Sequence, residues 1–443
     1  MSPTTPSRDN GAMSQSSAAP AAASARVLAT RREARLPAVI ESFRIRSFRF
    51  QWSADALSVW ANEMETLVLG WYIVAETGSA FQTGLVGALR FGGTLVAPVY
   101  GVMADRINRR NMLIGMRLIF ALQAALIMGL ALSGAIRPWH VFAIAGLSGL
   151  VRQAEQVVRQ SLIADTVPRH SLMNATGLAR TTQDLARIAG SFLGATLLAG
   201  LGLGQAYIGV TAFFLASALL ALGITLHDRI PLMAGKSAVA NLKSGVTYMR
   251  NDSTIVAIMF LAFLVNFTVF PLTNGLMPVV AKQVFNLGPT GLAALTASSA
   301  VGALAGSLGM SAFVRTARPG RVMLAAIVAW HLTLLWFSQV HSLGLAYVVL
   351  AANGLMMSIA MVAMSTLLLE VTLAEFRGRV MGVRMLAVYG LPMGLLLGGA
   401  LTEWSTVRTA SLVLGLLGLG LMAGALLAWP RLWRSGRLNE PEG

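Results

Sequence analysis

Twelve stretches of about 20 mostly apolar residues follow one another along this chain, each long enough to cross the hydrocarbon core of a bilayer. Their approximate limits are 52–75, 82–103, 111–133, 139–163, 176–200 and 206–227, then 254–280, 288–313, 322–338, 344–369, 380–402 and 409–430. A segment that crosses lipid must satisfy its own backbone hydrogen bonds, so each stretch is expected to be a helix. The expected fold class is all-α: a polytopic membrane protein with twelve transmembrane helices in two six-helix pseudo-repeats.

The break between the halves is the segment 228–253, which holds Asp228, Arg229, Lys236, Lys243 and Arg250. The expected organisation is therefore a tail over 1–40, a six-helix bundle over 41–227, a central loop over 228–253, a second bundle over 254–430 and a short tail over 431–443. The first tail is rich in Ala, Ser, Pro and Arg and holds no apolar run of spanning length, which reads as a disordered cytoplasmic segment. A cleaved targeting segment is the alternative there.

Composition removes most other classes. Charged residues are 12% of the chain and apolar residues 56%, against roughly 25% charged in soluble domains. A soluble protein so composed would expose large apolar patches. With no cysteine there is no disulfide, thiolate metal site or thiol nucleophile. His140, His170, His227, His331 and His341 show no metal-ligand spacing. No Gly-x4-Gly-Lys-Ser/Thr loop and no Gly-x-Ser-x-Gly elbow occurs, so neither an ATP-driven pump nor a hydrolase is expected. The chain reads as a non-enzyme without cofactor or metal.

The net charge of +16 need not mean nucleic acid, and none is expected as a partner. Twenty-four of the 34 Lys and Arg fall in the tails and loops of one side, whereas the other side has Arg137, Lys282 and Arg408. Basic loops stay cytoplasmic, so both termini are expected there.

The halves repeat. Shifted by 205 positions without gaps, Ser148-Gly149-Leu150 meets Asn353-Gly354-Leu355, Asp165 meets Glu370, Gly101 meets Gly306, Gly177 meets Gly382 and Gly194 meets Gly399. Parallel repeats of six spans are one of the transporter plans.

Ionisable residues within a span are costly, so each is a functional candidate. The first span carries Asp55, Glu63 and Glu65. Two positions on a helix turn through about 200°, so Glu63 and Glu65 cannot share a face. The fourth span carries Arg152, Glu155 and Arg159, and the fifth Arg180, Asp184 and Arg187, each set on one face. Glu63, Glu65, Arg152, Glu155 and Arg159 are the candidates for proton coupling or the cavity. Asp55, Arg180, Asp184 and Arg187 are the candidates for structural ion pairs. Arginine stays charged, so the proton carrier among these is a carboxylate: Glu63, Glu65 or Glu155, with Asp184 behind them. Arg152 and Arg159 beside Glu155 suggest a switchable ion-pair partner, which leaves span one, with Glu65 ahead of Glu63 on central depth.

At the same shift, the charged positions of spans four and five become Met357, Ala360, Met364, Met385, Tyr389 and Pro392. Methionine adapts its shape to varied apolar ligands. Asn353, Met356, Met357, Met361, Met364 and Tyr389 are therefore candidates for a substrate wall. The alternative is that the methionines only fill gaps in a core.

Between spans two and three runs Gly101-Val-Met-Ala-Asp105-Arg106-Ile-Asn-Arg109-Arg110. It resembles the G-x-x-x-D-R-x-x-R-R/K loop signature of the major facilitator superfamily, and Gly101, Asp105, Arg106, Arg109 and Arg110 are the matching positions. A plain positively charged turn is the other reading. Within the superfamily, Ser47-Phe48-Arg49-Phe50, Thr77-Gly78-Ser79-Ala80, Asp165…Pro168-Arg169 and Asn174-Ala175 look most like the bacterial group of macrolide efflux pumps and the enterobactin exporter. The second half departs from the loop signature, with Met310 where Asp105 stands. Span five has Gly190-Ser191-Phe-Leu-Gly194 where exporters often carry Gly-Pro.

The resemblance implies a monomeric secondary transporter in the bacterial cytoplasmic membrane. It would export small hydrophobic or amphipathic molecules by alternating access, energised by the proton gradient. A siderophore or lipid exporter on the same fold is the alternative, and a non-transporting membrane receptor or scaffold a remoter one.

Overall fold

The computed structural model describes residues 42–96, 108–168, 171–225, 244, 246–313, 319–373 and 375–430. The apolar stretches are helical wherever they are described, and no strand occurs among these residues. The first half holds α1 (Arg46–Thr77), α2 (Ala80–Phe91), α3 (Arg109–Leu132), α4 (Pro138–Thr166), α5 (Leu172–Leu201) and α6 (Leu203–Ala221). The second holds α7 (Ser253–Thr268), α8 (Pro289–Phe313), α9 (Pro319–Ser338), α10 (Leu343–Val371), α11 (Arg377–Ala387), α12 (Gly390–Trp404) and α13 (Val407–Ala428).

Local sequence sets the helix ends. The Ser79 hydroxyl accepts from the Gln82 amide at 3.1 Å and starts α2, and the Asp252 carboxylate accepts from the Thr254 amide at 2.8 Å and starts α7. Gly78, at φ +64°, ends α1 in the left-handed conformation that glycine adopts without strain. Only Gly202, at φ +90°, separates α5 from α6, so the connection expected between 200 and 206 shrinks to one residue.

Two expected spans are less regular. α7 continues to Val284 through π turns at Leu272–Leu276 and Val280–Val284, around Pro271 and Pro278. The span expected over 380–402 is broken between Ala387 and Gly390. Pro392 has no N–H to give to the Val388 carbonyl, so the ladder stops there and Leu391 bonds to Val388 instead, at 2.9 Å.

Eight helices among the described residues are long and apolar enough to cross a membrane. α1 and α4 match them in length, at 32 and 29 residues, but carry the intramembrane charges. The near end of the bundle is where α1 begins and α13 finishes; the far end carries the α1–α2, α3–α4, α5–α6 and α12–α13 turns.

Each half packs on small residues. In the first, α2 crosses α4 where Gly149 abuts the Leu89 carbonyl; in the second, α8 crosses α10 where Gly354 abuts the Ser299 carbonyl. Gly149 and Gly354 are the pair matched by the 205-residue shift, so the repeat seen in sequence is the same close crossing made twice. A β-carbon at Gly354 would overlap the backbone of α8. Gly354→Ala should cost about 1–3 kcal/mol through overpacking. Gly424→Ala, with open space around it, should leave the melting temperature of the purified protein unchanged. Equal effects from the two would contradict this packing. The halves meet where α2 lies against α12 and α5 against α8.

Candidate functional site: charges buried in the first half

From Asp55 onward the buried polar residues of α1 are Asp55, Ser58, Asn62 and Glu65. Their spacing of three, four and three residues puts them on one stripe. Glu63 falls off it and is half-buried, its β-carbon against Gly190 of α5. The two glutamates are thus on different faces, as two-residue spacing requires.

The lower part of the stripe is a three-helix clamp. Arg117 of α3 is fully buried, and its Nη2 donates to Asp55 Oδ1 and lies 3.4 Å from Glu155 Oε1 of α4. Arg159 is buried beside them as a second cation near Asp55, and its carbonyl accepts from Gln51 Nε2 at 3.3 Å. Two carboxylates thus share one guanidinium, with a second cation nearby, which is what makes their burial tolerable.

The upper part is looser. Glu65, only 2% exposed, lies 3.7 Å from Arg90 Nη1 of α2. Nη2 of Arg90 donates to Thr66 Oγ1 at 2.7 Å, and Nη1 has no hydrogen-bond acceptor. Glu65 accepts no hydrogen bond among the described residues. Arg152 of α4 lies within electrostatic reach of Arg90, Glu63, Glu65 and Glu155. The buried Tyr207 hydroxyl, close enough to feel Glu65 and Arg90, has no partner either. A charge pair without hydrogen bonds in low dielectric is poorly compensated.

The remaining sequence candidates separate. Arg180 Nε and Asp184 Oδ2 of α5 pair at 3.4 Å, with the Arg180 side chain 67% exposed. A guanidinium so exposed on an apolar span is tolerated where it reaches water or the headgroup region. Arg187, one turn on, is half-buried. Gly101, Asp105 and Arg106 lie outside the described residues. Arg109 pairs with Asp165 at the end of α4 at 3.1 Å, and Arg110 donates to the Leu222 carbonyl just past α6. That ties the start of α3 to its neighbours at the near end.

In the second half Met364 is fully buried, and Asn353, 2% exposed, donates to Thr333 Oγ1 at 2.9 Å. Met356, Met357, Met361 and Tyr389 are half-buried. The second half is not wholly apolar beside the compared positions. Arg384, one residue before Met385, donates to Ser365 Oγ at 2.7 Å.

Arg90 and Arg117 hold the two carboxylate groups together, and neither was among the sequence candidates. Both lie inside expected spans, 82–103 and 111–133, where the rule that any buried charge is a candidate applies equally.

Known proteins resemble this chain over most of its length. The family described as Major Facilitator Superfamily matches residues 52–392. Macrolide efflux protein A of Streptococcus pyogenes is 22% identical over 360 residues, 80% of this chain and 88% of that protein. The protein of that name from Enterococcus faecalis is 22% identical over 244 residues, 53% of this chain and 73% of that one. Among solved structures, the nucleoside transporter NupG superposes with a TM-score of 0.68 at 14% identity, covering 88% of this chain and 99% of that one. An inward-facing bacterial homolog of the human lysosomal transporter Spinster gives 0.69 at 15%, covering 89% and 98%. At such identities these structures show the fold. With the family match spanning most of the twelve expected spans, this multi-pass membrane protein belongs to the major facilitator superfamily.

Proposed function

We propose that the chain is a proton-coupled exporter of small hydrophobic or amphipathic molecules in the bacterial cytoplasmic membrane, with Glu65 as its proton carrier. The observation that carries the coupling is the contrast within the buried stripe. Asp55 and Glu155 are clamped by one arginine, whereas Glu65 has a single cation at 3.7 Å and no hydrogen bond. Protonating Glu65 would free Arg90, whose Nη1 already lacks an acceptor. The guanidinium could then turn toward Glu63 or Arg152's partners, and the repacking of α1 on α2 would bias one state of the alternating cycle. The macrolide efflux relatives support an apolar or amphipathic cargo, and the exposed polar face of α5 supports an aqueous path to it.

Expression in a pump-deficient host tests this, with macrolides, lipophilic cations and siderophores as probes. Lowered accumulation of the amphipathic compounds, reversed by dissipating the proton gradient, is expected. Export of siderophores alone would replace the cargo reading, and no effect on any probe would overturn export.

The orientation proposed has both termini in the cytoplasm, because basic residues crowd the near end. Reporters fused after Leu203, in the α5–α6 turn, and after Gly443 should report opposite compartments. The same compartment for both would contradict it.

A further inference from the structure

At the far end the second half grips the α1–α2 turn of the first from both sides. Three donors converge on one oxygen of Glu403, at the end of α12. The Ala80 amide donates to Glu403 Oε2 at 2.7 Å, the Ser79 hydroxyl at 3.1 Å and the Phe81 amide at 3.2 Å. The two amides open α2, where N–H groups lack intrahelical acceptors and an anion is favoured. On the other side, Lys282 Nζ donates to the Val74 carbonyl at 3.2 Å and the Ala75 carbonyl at 2.9 Å, in the last turn of α1. A cation is favoured there for the converse reason. Gln283 Nε2 donates to the Gly78 carbonyl, at the turn itself, at 2.7 Å.

We propose that Glu403, with Lys282 and Gln283, is the latch that holds the far gate shut. It supplies from the second half the caps that the end of α1 and the start of α2 need. The first half offers backbone groups to this grip, with Ser79 the one side chain. Opening the far end must pull the 74–81 turn away from both flanks and uncap two helices at once. The latch is also weak enough to release. Glu403 and Gln283 are exposed and Lys282 half-buried, so water can replace each bond as it breaks. Behind it the seal is steric: Gly84 lies on the Leu395 backbone, and a β-carbon at Gly399 would meet Phe81 Cα at 3.1 Å. The caps set how often that seal parts.

The inference rests on the reading that the halves alternate, and its test needs neither substrate nor proton. The chain has no cysteine, so two can be introduced and spin-labelled cleanly. Ser133 and Gln339, exposed in the far-end turns of the two halves, are suitable sites. In the purified protein the inter-label distance distribution reports the far-closed and far-open populations. Losing a charge-assisted cap is expected to raise the far-open fraction about tenfold in Glu403→Ala and in Lys282→Ala. Glu403→Asp, which keeps the carboxylate, should stay nearer the parent. All variants should keep the parent's melting temperature to within a few degrees, since the caps join the halves and not the core of either. Unchanged distributions in both alanine variants would overturn the latch. So would a shift in Glu403→Asp as large as in Glu403→Ala, because the cap would then not be the cause.

Discussion

Glu65→Gln should abolish coupled export while leaving the protein folded. Glutamine keeps the size and polarity of the side chain and removes the charge that Arg90 faces at 3.7 Å. The variant is fixed in a state resembling the protonated one, so the cycle loses the step in which the proton leaves. Active export in cells should fall by at least about tenfold, the scale expected when a costly buried charge is the functional one. Glu63→Gln should fall less, since Glu63 is half-buried and lies off the buried stripe. The comparison is made by measuring accumulation of a fluorescent amphipathic substrate at matched membrane expression. Full activity in Glu65→Gln would move the carrier to another group.

Arg117→Met should instead destroy the fold. It leaves Asp55 and Glu155 facing one another, 6% and 5% exposed, with Arg159 alone nearby. Breaking a buried ion pair by removing one partner costs about 3–5 kcal/mol. The variant should lose most of its yield and melt far below the parent. Replacing Asp55→Asn, Arg117→Met and Glu155→Gln together should recover part of that loss, because the two carboxylates no longer face one another as charges, while Arg159 stays buried as a cation. Thermal melting in detergent compares the parent, the single and the triple variant. A single variant as stable as the parent would show that the clamp does not support the bundle.

The helical fold was legible because lipid leaves few alternatives. The run of spanning stretches, the basic near side and the 205-residue repeat each point to two bundles of six. Gly149 and Gly354 then sit at equivalent crossings. The break at Pro392 was less legible. A proline beyond a helix start is tolerated or disruptive depending on its neighbours, and Gly390 packed against the Phe263 carbonyl decides for disruption. The charged stripe of α1 could be read as spacing, but its partners could not. Asp55 and Glu155 meet through Arg117, a residue on a third helix, and a one-dimensional pattern does not say which helices touch. The local pairs suggested for Glu155, Arg152 and Arg159, gave way to that tertiary partner. The far-end latch was illegible for a similar reason. Glu403, Lys282 and Gln283 act on backbone groups, which leave no mark in the sequence of the turn they hold.

If Glu65 carries the proton, its movement through the first half drives export. Purified protein reconstituted into vesicles with an imposed pH gradient and a fluorescent amphipathic substrate tests it most directly. The gradient is expected to drive substrate against its own concentration. A substrate gradient should in turn move protons the opposite way, with both fluxes lost in Glu65→Gln. Substrate flux that equilibrates without regard to the pH gradient, in the parent as in the variant, would contradict it.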